Sequence, residues 1–224
     1  MGHGTVVLLH GLGRSSANML ILKWRLQSRG YGVCNVGYDT RAESIEAATD
    51  SVFDSIRERG GEAGPVHFVT HSLGGLVLRC LLDRHAIPSA GRAVMLAPPN
   101  RGSEIADSIR SSTLARGLFG PLLGQLGTRP QDIPRSLPVP SIPFGIIAGT
   151  HWINPIGPFL LSGPHDGTVT VASTRLEGMS DHLVVPHTHT FIMNPPEVAR
   201  QVDQFLRRGR FDHPASSHGV ASRP

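Results

Sequence analysis

The sequence predicts an α/β protein: a three-layer sandwich with helices on both faces of a mostly parallel sheet of about six strands. Three observations carry that prediction. Strand-like and helix-like segments alternate along most of the chain. The strand-like runs are continuously apolar rather than alternating, as strands buried on both faces must be. With 224 residues there is enough chain for one well-buried core, and no shift in composition marks a second domain.

Taken in order, Thr5 to Leu9 is a short apolar run of the fully buried type. Ala17 to Arg29 reads as a helix closed by Gly30, and a second strand follows near Gly32 to Val36. Ile45, Ala48, Val52 and Ile56 recur at helical spacing, and Gly60-Gly61 is expected to end that helix. Val66 to Thr70 is the third strand, Leu73 to His85 the helix after it, and Ala93 to Ala97 the fourth strand. The rhythm then breaks. Pro98 to Pro143 is rich in Gly, Pro and Ser around one apolar island, Leu114 to Leu126. Connections of that length are usually functional, so residues 98–143 are expected to form a cap or lid over a site.

Phe144 to Gly149 resumes the sheet, and Leu183 to Val185 supports a last strand or edge. Asn194-Pro195-Pro196-Glu197 has the pattern of a helix start, with Asn194 as cap, prolines in the first turn and an acid three residues on. The helix that follows places Val198, Val202, Phe205 and Leu206 on one face. Residues 1–208 are thus expected to form one domain. Residues 209–224, polar and rich in Pro, Ser and His, are expected to form a flexible tail.

Composition narrows the function classes. The net charge is +4, and all but one of the basic residues are arginine, Lys23 being the exception. The arginines are scattered, without the aromatic-interleaved basic stripe of a nucleic-acid surface, so no nucleic-acid partner is expected. No apolar run reaches the roughly 18 residues of a membrane span. Val6 to Leu9 reads as a core strand rather than a signal peptide, so a cytoplasmic address is expected. Cys34 and Cys80, in a strand and a helix, read as free small hydrophobes rather than a disulfide.

The chemistry concentrates at Val66-His67-Phe68-Val69-Thr70-His71-Ser72-Leu73-Gly74-Gly75. A buried strand stops at a serine, and paired glycines let the next helix pack against it. Such a corner lifts a hydroxyl into a cleft, which makes Ser72 the candidate nucleophile. Helix capping by Ser72 is the plainer reading, but it leaves the buried strand and Gly74-Gly75 without a reason. Thr70 stands where a small residue, usually glycine, is preferred, and its branched side chain is expected to open the corner slightly.

An acyl-transferring serine needs a base, a carboxylate to orient it and donors for the oxyanion. His10-Gly11-Leu12-Gly13 ends the first strand, and its glycines allow the backbone to fold back toward Ser72. The N–H groups of Leu12 and Leu73 are the expected oxyanion donors, with His10, Gly11 and His71 lining the substrate side. Asp166, in a loop after the fifth strand, is the first choice of carboxylate, with Asp181, Asp132 and Asp203 as rivals. For the base, His187 and His189 both lie in the loop before the last helix, and His182 is near. His151, His165, His182 and His187 lack the helical spacing of common zinc sites, so no metal and no other cofactor is expected. Leu118, Phe119 and Leu122 of the island, with Leu114, Leu123 and Leu126, are expected to form an acyl pocket, the alternative being a helix packed flat on the core.

With these residues named, the chain resembles the α/β-hydrolase superfamily of esterase/lipase type. The resemblance spans Thr5 to Arg208. It rests on His10-Gly11-Leu12-Gly13, on Thr70-His71-Ser72-Leu73-Gly74-Gly75, on Ala97-Pro98-Pro99-Asn100-Arg101-Gly102-Ser103, and on the chain order of serine, acid and histidine. Two departures stand out: Thr70 replaces the common glycine, and the chain opens directly on the oxyanion strand, which implies a minimal version of the fold. The resemblance selects His189 over His187, from the type of sequence around it. It also implies a serine hydrolase that cleaves a small-molecule or lipid carboxylic ester through Ser72, His189 and Asp166. An acyltransferase or thioesterase would use the same triad, and a binding module that keeps the fold without its chemistry is a further alternative.

Overall fold

A computed structural model of the chain describes residues 3–58, 64–153 and 157–213. Its strands β1 (Thr5–Leu9), β2 (Gly32–Val36), β3 (Val66–His71), β4 (Ala90–Leu96), β5 (Phe144–Gly149) and β6 (Asp181–Val185) form one sheet. The order is β2-β1-β3-β4-β5-β6, and every neighbouring pair is parallel. Parallel neighbours need crossovers, supplied first by α1 (Leu20–Gln27), α2 (Ile45–Glu58) and α3 (Leu73–Arg84). Between β4 and β5 lie α4 (Glu104–Ile109), α5 (Thr113–Phe119), a 3₁₀ turn (Pro121–Gln125) and α6 (Ile133–Ser136). Then come α7 (Gly157–Leu160), α8 (Val171–Thr174) and the terminal α9 (Pro196–Arg208).

Successive strand residues point to opposite faces, and both faces are covered. Val7, Leu9 and Phe68 pack with α2 and α3, whereas Val6, Leu8 and Val69 pack with α1 and α9. That is why the strands read as unbroken apolar runs. The chain order reverses at β1, with β2 on one side and β3 on the other. The crevice outside the strand ends at such a switch point is where open parallel sheets bind ligands. Among the described residues no helix is long and apolar enough to cross a membrane.

Several boundaries differ from the sequence reading for local reasons. The first helix is split: a 3₁₀ turn, Ser16–Met19, precedes α1, whose Leu20, Ile21 and Trp24 are exposed. β4 starts at Ala90 because it pairs with β3 from Val66 onward, and β6 starts at Asp181, opposite Gly145. Helix α9 is capped at Pro195 rather than Asn194, with no side-chain cap bond. The Asn194 N–H instead closes a turn onto the Phe191 carbonyl. Gly60-Gly61, expected to end α2, lies outside the described residues.

The segment 98–143 is not a bare loop, and α3 ties it down. The buried Arg79 guanidinium donates to the carbonyls of Pro138 at 3.0 Å and Pro134 at 3.1 Å, and also to those of Leu137 and Asn100. Within the segment, Arg110 bridges Asp107 at 2.9 Å and Asp132 at 2.7 Å, and Asp107 accepts both the N–H and the hydroxyl of Thr128. This accounts for Asp132, which serves the segment rather than a histidine.

The expected tail does not begin at Gly209. Gly209 ends α9 at φ 74°, and the next residues turn back onto the sheet edge. Phe211 is 3% exposed, its ring 4.9 Å from that of Phe205, and its N–H donates to Asp181 Oδ2 at 2.8 Å. Gly145 makes the space, since a Cβ there would lie 2.5 Å from Phe205 and 2.8 Å from Phe211. One aromatic in a polar stretch is enough to pin residues 209–213; residues 214–224 lie outside those described. Replacing it tests this. Phe211→Ala should cost about 3 kcal/mol in urea unfolding, the lower range for emptying a buried aromatic site. A loss below roughly 0.5 kcal/mol, the level of an ordinary surface change, would contradict the docking.

Candidate active site

The corner forms as its sequence requires. β3 runs buried from Val66 to His71, and Ser72 follows at φ 52°, ψ −120°, a left-handed backbone rare for a side-chain-bearing residue. Its N–H donates to the Leu96 carbonyl at 2.9 Å, and its own carbonyl accepts from Gly75 at 2.9 Å. Gly74 lets α3 approach the end of β1: a Cβ there would lie 2.7 Å from the Leu9 carbonyl oxygen. Thr70 is fully buried; a Cβ on Gly75 would meet its Oγ1 at an ordinary contact distance of 3.5 Å, and the tight neighbour of Gly75 is Pro98, at 3.0 Å.

Ser72, His189 and Asp166 form one hydrogen-bonded chain. Ser72 Oγ donates to His189 Nε2 at 3.0 Å, and His189 Nδ1 donates to Asp166 Oδ2 at 2.7 Å. The other oxygen of Asp166 accepts the N–H groups of Val169 at 2.8 Å and Thr168 at 3.0 Å, and the His189 N–H bonds the Asp166 carbonyl at 3.1 Å. With both oxygens engaged, the carboxylate is locked in place. The loops that carry the acid and the histidine leave the same ends of β5 and β6 as Ser72 leaves of β3.

The rejected groups have other partners. His187 Nε2 bonds Glu197 Oε1 at 2.5 Å, at the exposed start of α9. His182 Nε2 pairs with Thr174 Oγ1 at 3.1 Å. Asp181 binds Phe211 and His213, and Asp203 accepts from Tyr31 at 2.9 Å. Among the described residues no three His, Cys, Asp or Glu side chains converge on one point.

The glycine loop after β1 passes directly against the serine. A Cβ on Gly11 would lie 3.1 Å from Ser72 Cβ and 3.0 Å from His71 Nδ1, so any larger residue would press on both. Gly13 sits at φ 63°, where a Cβ would meet the Phe119 ring at 2.8 Å; its N–H is taken by Thr40 Oγ1. The N–H groups of Leu12 and Leu73 have no acceptor among the described residues, so both are free for a ligand oxygen. His10 departs from expectation. Tyr38 N–H donates to its Nε2 at 3.4 Å, its Nδ1 faces the Gly11 carbonyl at 3.1 Å, and its ring stacks on Tyr38. His10 therefore braces the loop from behind and does not line the cleft.

A cavity of about 490 Å³ opens at Ser72 and His189. Leu118 and Phe119 line it as expected, together with Leu123 and Leu126, but Leu122 does not: it is fully buried in the core. Leu114 is 82% exposed and also takes no part. The island thus splits by geometry, because helical phase turns Leu114 outward from α5 and the tight 3₁₀ turn sends Leu122 inward. Ile105, Ala106 and Ile109 of α4 complete the apolar wall. Those residues, and Arg14 and Thr190, which also line the cavity, escaped the sequence reading. For Arg14 the signal was present, one residue beyond Gly13.

His71 is buried against this site. Its Nε2 donates to the His189 carbonyl at 2.9 Å, and its Nδ1 lone pair has no partner among the described residues. Burial, then the neighbouring His189, pushes its pKa well below the ordinary value near 6.5. Burial likewise lowers His10 and His67, and takes His182 to about 4. Folding thus lowers the proton affinity of these histidines, which titrate near 6.5 in the unfolded chain, so the unfolded chain binds more protons below that pH. The stabilisation is full above about pH 6.5 and is lost as pH falls through the lowered folded values. The melting temperature should accordingly drop between pH 7 and pH 5 in a thermal scan; a flat or rising profile would contradict this lowering.

No family model matches the chain, and no curated protein matches its sequence. Solved structures do match. The mature form of Bacillus licheniformis lipase BlEst2 superposes with a TM-score of 0.71 at 18% identity, over 91% of each chain. The metagenomic carboxyl esterase MGS0156 gives 0.67 at 16% identity, over 92% of this chain and 76% of its own. An extracellular α/β-hydrolase from a Paenibacillus species gives 0.59 at 17% identity, over 91% and 99%. A six-stranded parallel sheet covered by helices on both faces, matched over almost the whole chain, makes this an α/β-hydrolase fold.

Proposed function

We propose that the protein is a serine hydrolase that cleaves carboxylic esters with an aliphatic acyl part. The observation that carries this reading is the unbroken relay from Ser72 Oγ through His189 to Asp166, with bonds of 3.0 Å and 2.7 Å, at the floor of an apolar cavity. His189 Nε2 takes the Ser72 proton as Oγ attacks the ester carbonyl carbon. The developing oxyanion accepts from the N–H groups of Leu12 and Leu73. Collapse expels the alcohol oxygen, which receives the proton from His189, and an acyl-serine remains. Water, deprotonated by His189, then attacks the acyl carbon and releases the acid, restoring Ser72. Asp166 keeps the ring in the tautomer with its proton on Nδ1 and steadies the imidazolium. The lipase and the carboxyl esterase that share the fold support ester cleavage as the reaction class.

The apolar wall supplied by α4, α5 and the 3₁₀ turn supports an acyl chain as the buried part of the substrate. Each methylene buried there contributes about 0.8 kcal/mol, so two of them amount to about tenfold in kcat/KM. Para-nitrophenyl esters test the reading. Turnover should rise about tenfold from acetyl to butyryl. Asp166→Asn should lower kcat by about 10⁴, with KM little changed, through the wrong tautomer. His189→Ala should abolish turnover, while His187→Ala stays near wild type. Full activity in His189→Ala, or no gain from acetyl to butyryl, would overturn the reading.

A further inference from the structure

The lining of the cavity is mixed in kind. Most of it is apolar, with Ile105, Ile109, Leu118, Phe119, Leu123 and Leu126. The glycine loop adds Arg14, among the described residues the only permanently charged side chain that lines the cavity, with no Asp or Glu beside it. Among the described residues no carboxylate lies within ion-pairing distance of Arg14. Among the described residues its one hydrogen bond is long, 3.5 Å from a terminal guanidinium nitrogen to Thr190 Oγ1, which leaves most of its five donors open.

We propose that the substrate is an ester whose alcohol part carries an anionic group, a carboxylate or a phosphate, which Arg14 binds. The inference rests on Ser72 hydrolysis as proposed above and adds the chemistry of the leaving group. The placement follows from the relay. His189 hands its proton to the departing oxygen, so the alcohol must lie beside His189. Thr190 is the next residue, and Arg14 reaches it. The acyl chain then takes the apolar part of the lining. A guanidinium fork matches a carboxylate or phosphate in two parallel bonds, which a neutral alcohol cannot supply.

Three esters of one shape separate the possibilities: para-octanoyloxybenzoate, para-octanoyloxyphenyl phosphate and the neutral para-octanoyloxybenzamide. At low salt at least one anionic ester should exceed the amide in kcat/KM by about fivefold or more, mainly through KM, as fits an ion pair at an exposed rim. The stronger of the two anions identifies the group. Arg14→Gln should bring the ratio close to one, and salt at about 0.5 M should shrink it in the wild type. Calorimetric titration of the same esters into Ser72→Ala reads the preference without turnover, so a failure of the hydrolase reading is told apart from a failure of this one. An amide that matches both anions in the wild type, or a preference that survives Arg14→Gln, overturns the proposal.

Discussion

A serine held at φ 52°, ψ −120° costs backbone energy of about 1–3 kcal/mol, and its surroundings must impose the conformation. Here the constraint comes from two directions. β3 is fully buried and paired with β1 and β4 up to its last residues, so the strand cannot relax. Helix α3 is drawn onto the end of β1, where Gly74 meets the Leu9 and His10 carbonyls. Between strand and helix there is one residue in which to turn, and the hydroxyl of that residue is driven outward. The loops around the site are then arranged about this corner. Gly11 grazes Ser72 Cβ, His71 takes the His189 carbonyl, and Asp166 backs His189.

The same corner explains why so much of the site was legible in the sequence. A strand buried on both faces reads as an apolar run, and small residues are compulsory where backbones nearly touch, so Ser72, Gly74 and Gly11 announce themselves. The order of serine, acid and histidine is what the resemblance implies, and the three residues follow β3, β5 and β6 at one edge of the sheet. His189 was not separable from His187 by residue type or spacing. Resemblance favours it; in the structure His189 reaches Ser72 while His187 turns to Glu197. Parts set by three-dimensional packing were less legible. His10 stands next to the glycine loop in sequence yet braces it from behind through Tyr38. Leu122 and Leu123 are neighbours with opposite fates, because the tight turn at Pro121–Gln125 sends one to the core and one to the cavity. Phe211 looked like part of a polar tail, since the space that receives it is made by Gly145, far away in sequence.

The segment 98–143 connects fold to specificity. Its interior ion pairs, from Arg110 to Asp107 and Asp132, hold α4 against the stretch after the 3₁₀ turn, and Arg79 ties its exit to α3. Gly13 leaves room for Phe119, so the glycine loop and the segment share a wall of one cavity. The helix that follows the serine therefore also positions the surface on which an acyl chain would lie.

The central claim is that Ser72 is the nucleophile, and covalent trapping tests it most directly. After reaction with a fluorophosphonate, intact mass and peptide mapping should show one phosphonyl group, on Ser72. Labelling should slow strongly in His189→Ala and vanish in Ser72→Ala. An adduct on any other residue, or undiminished labelling of Ser72→Ala, would contradict the account.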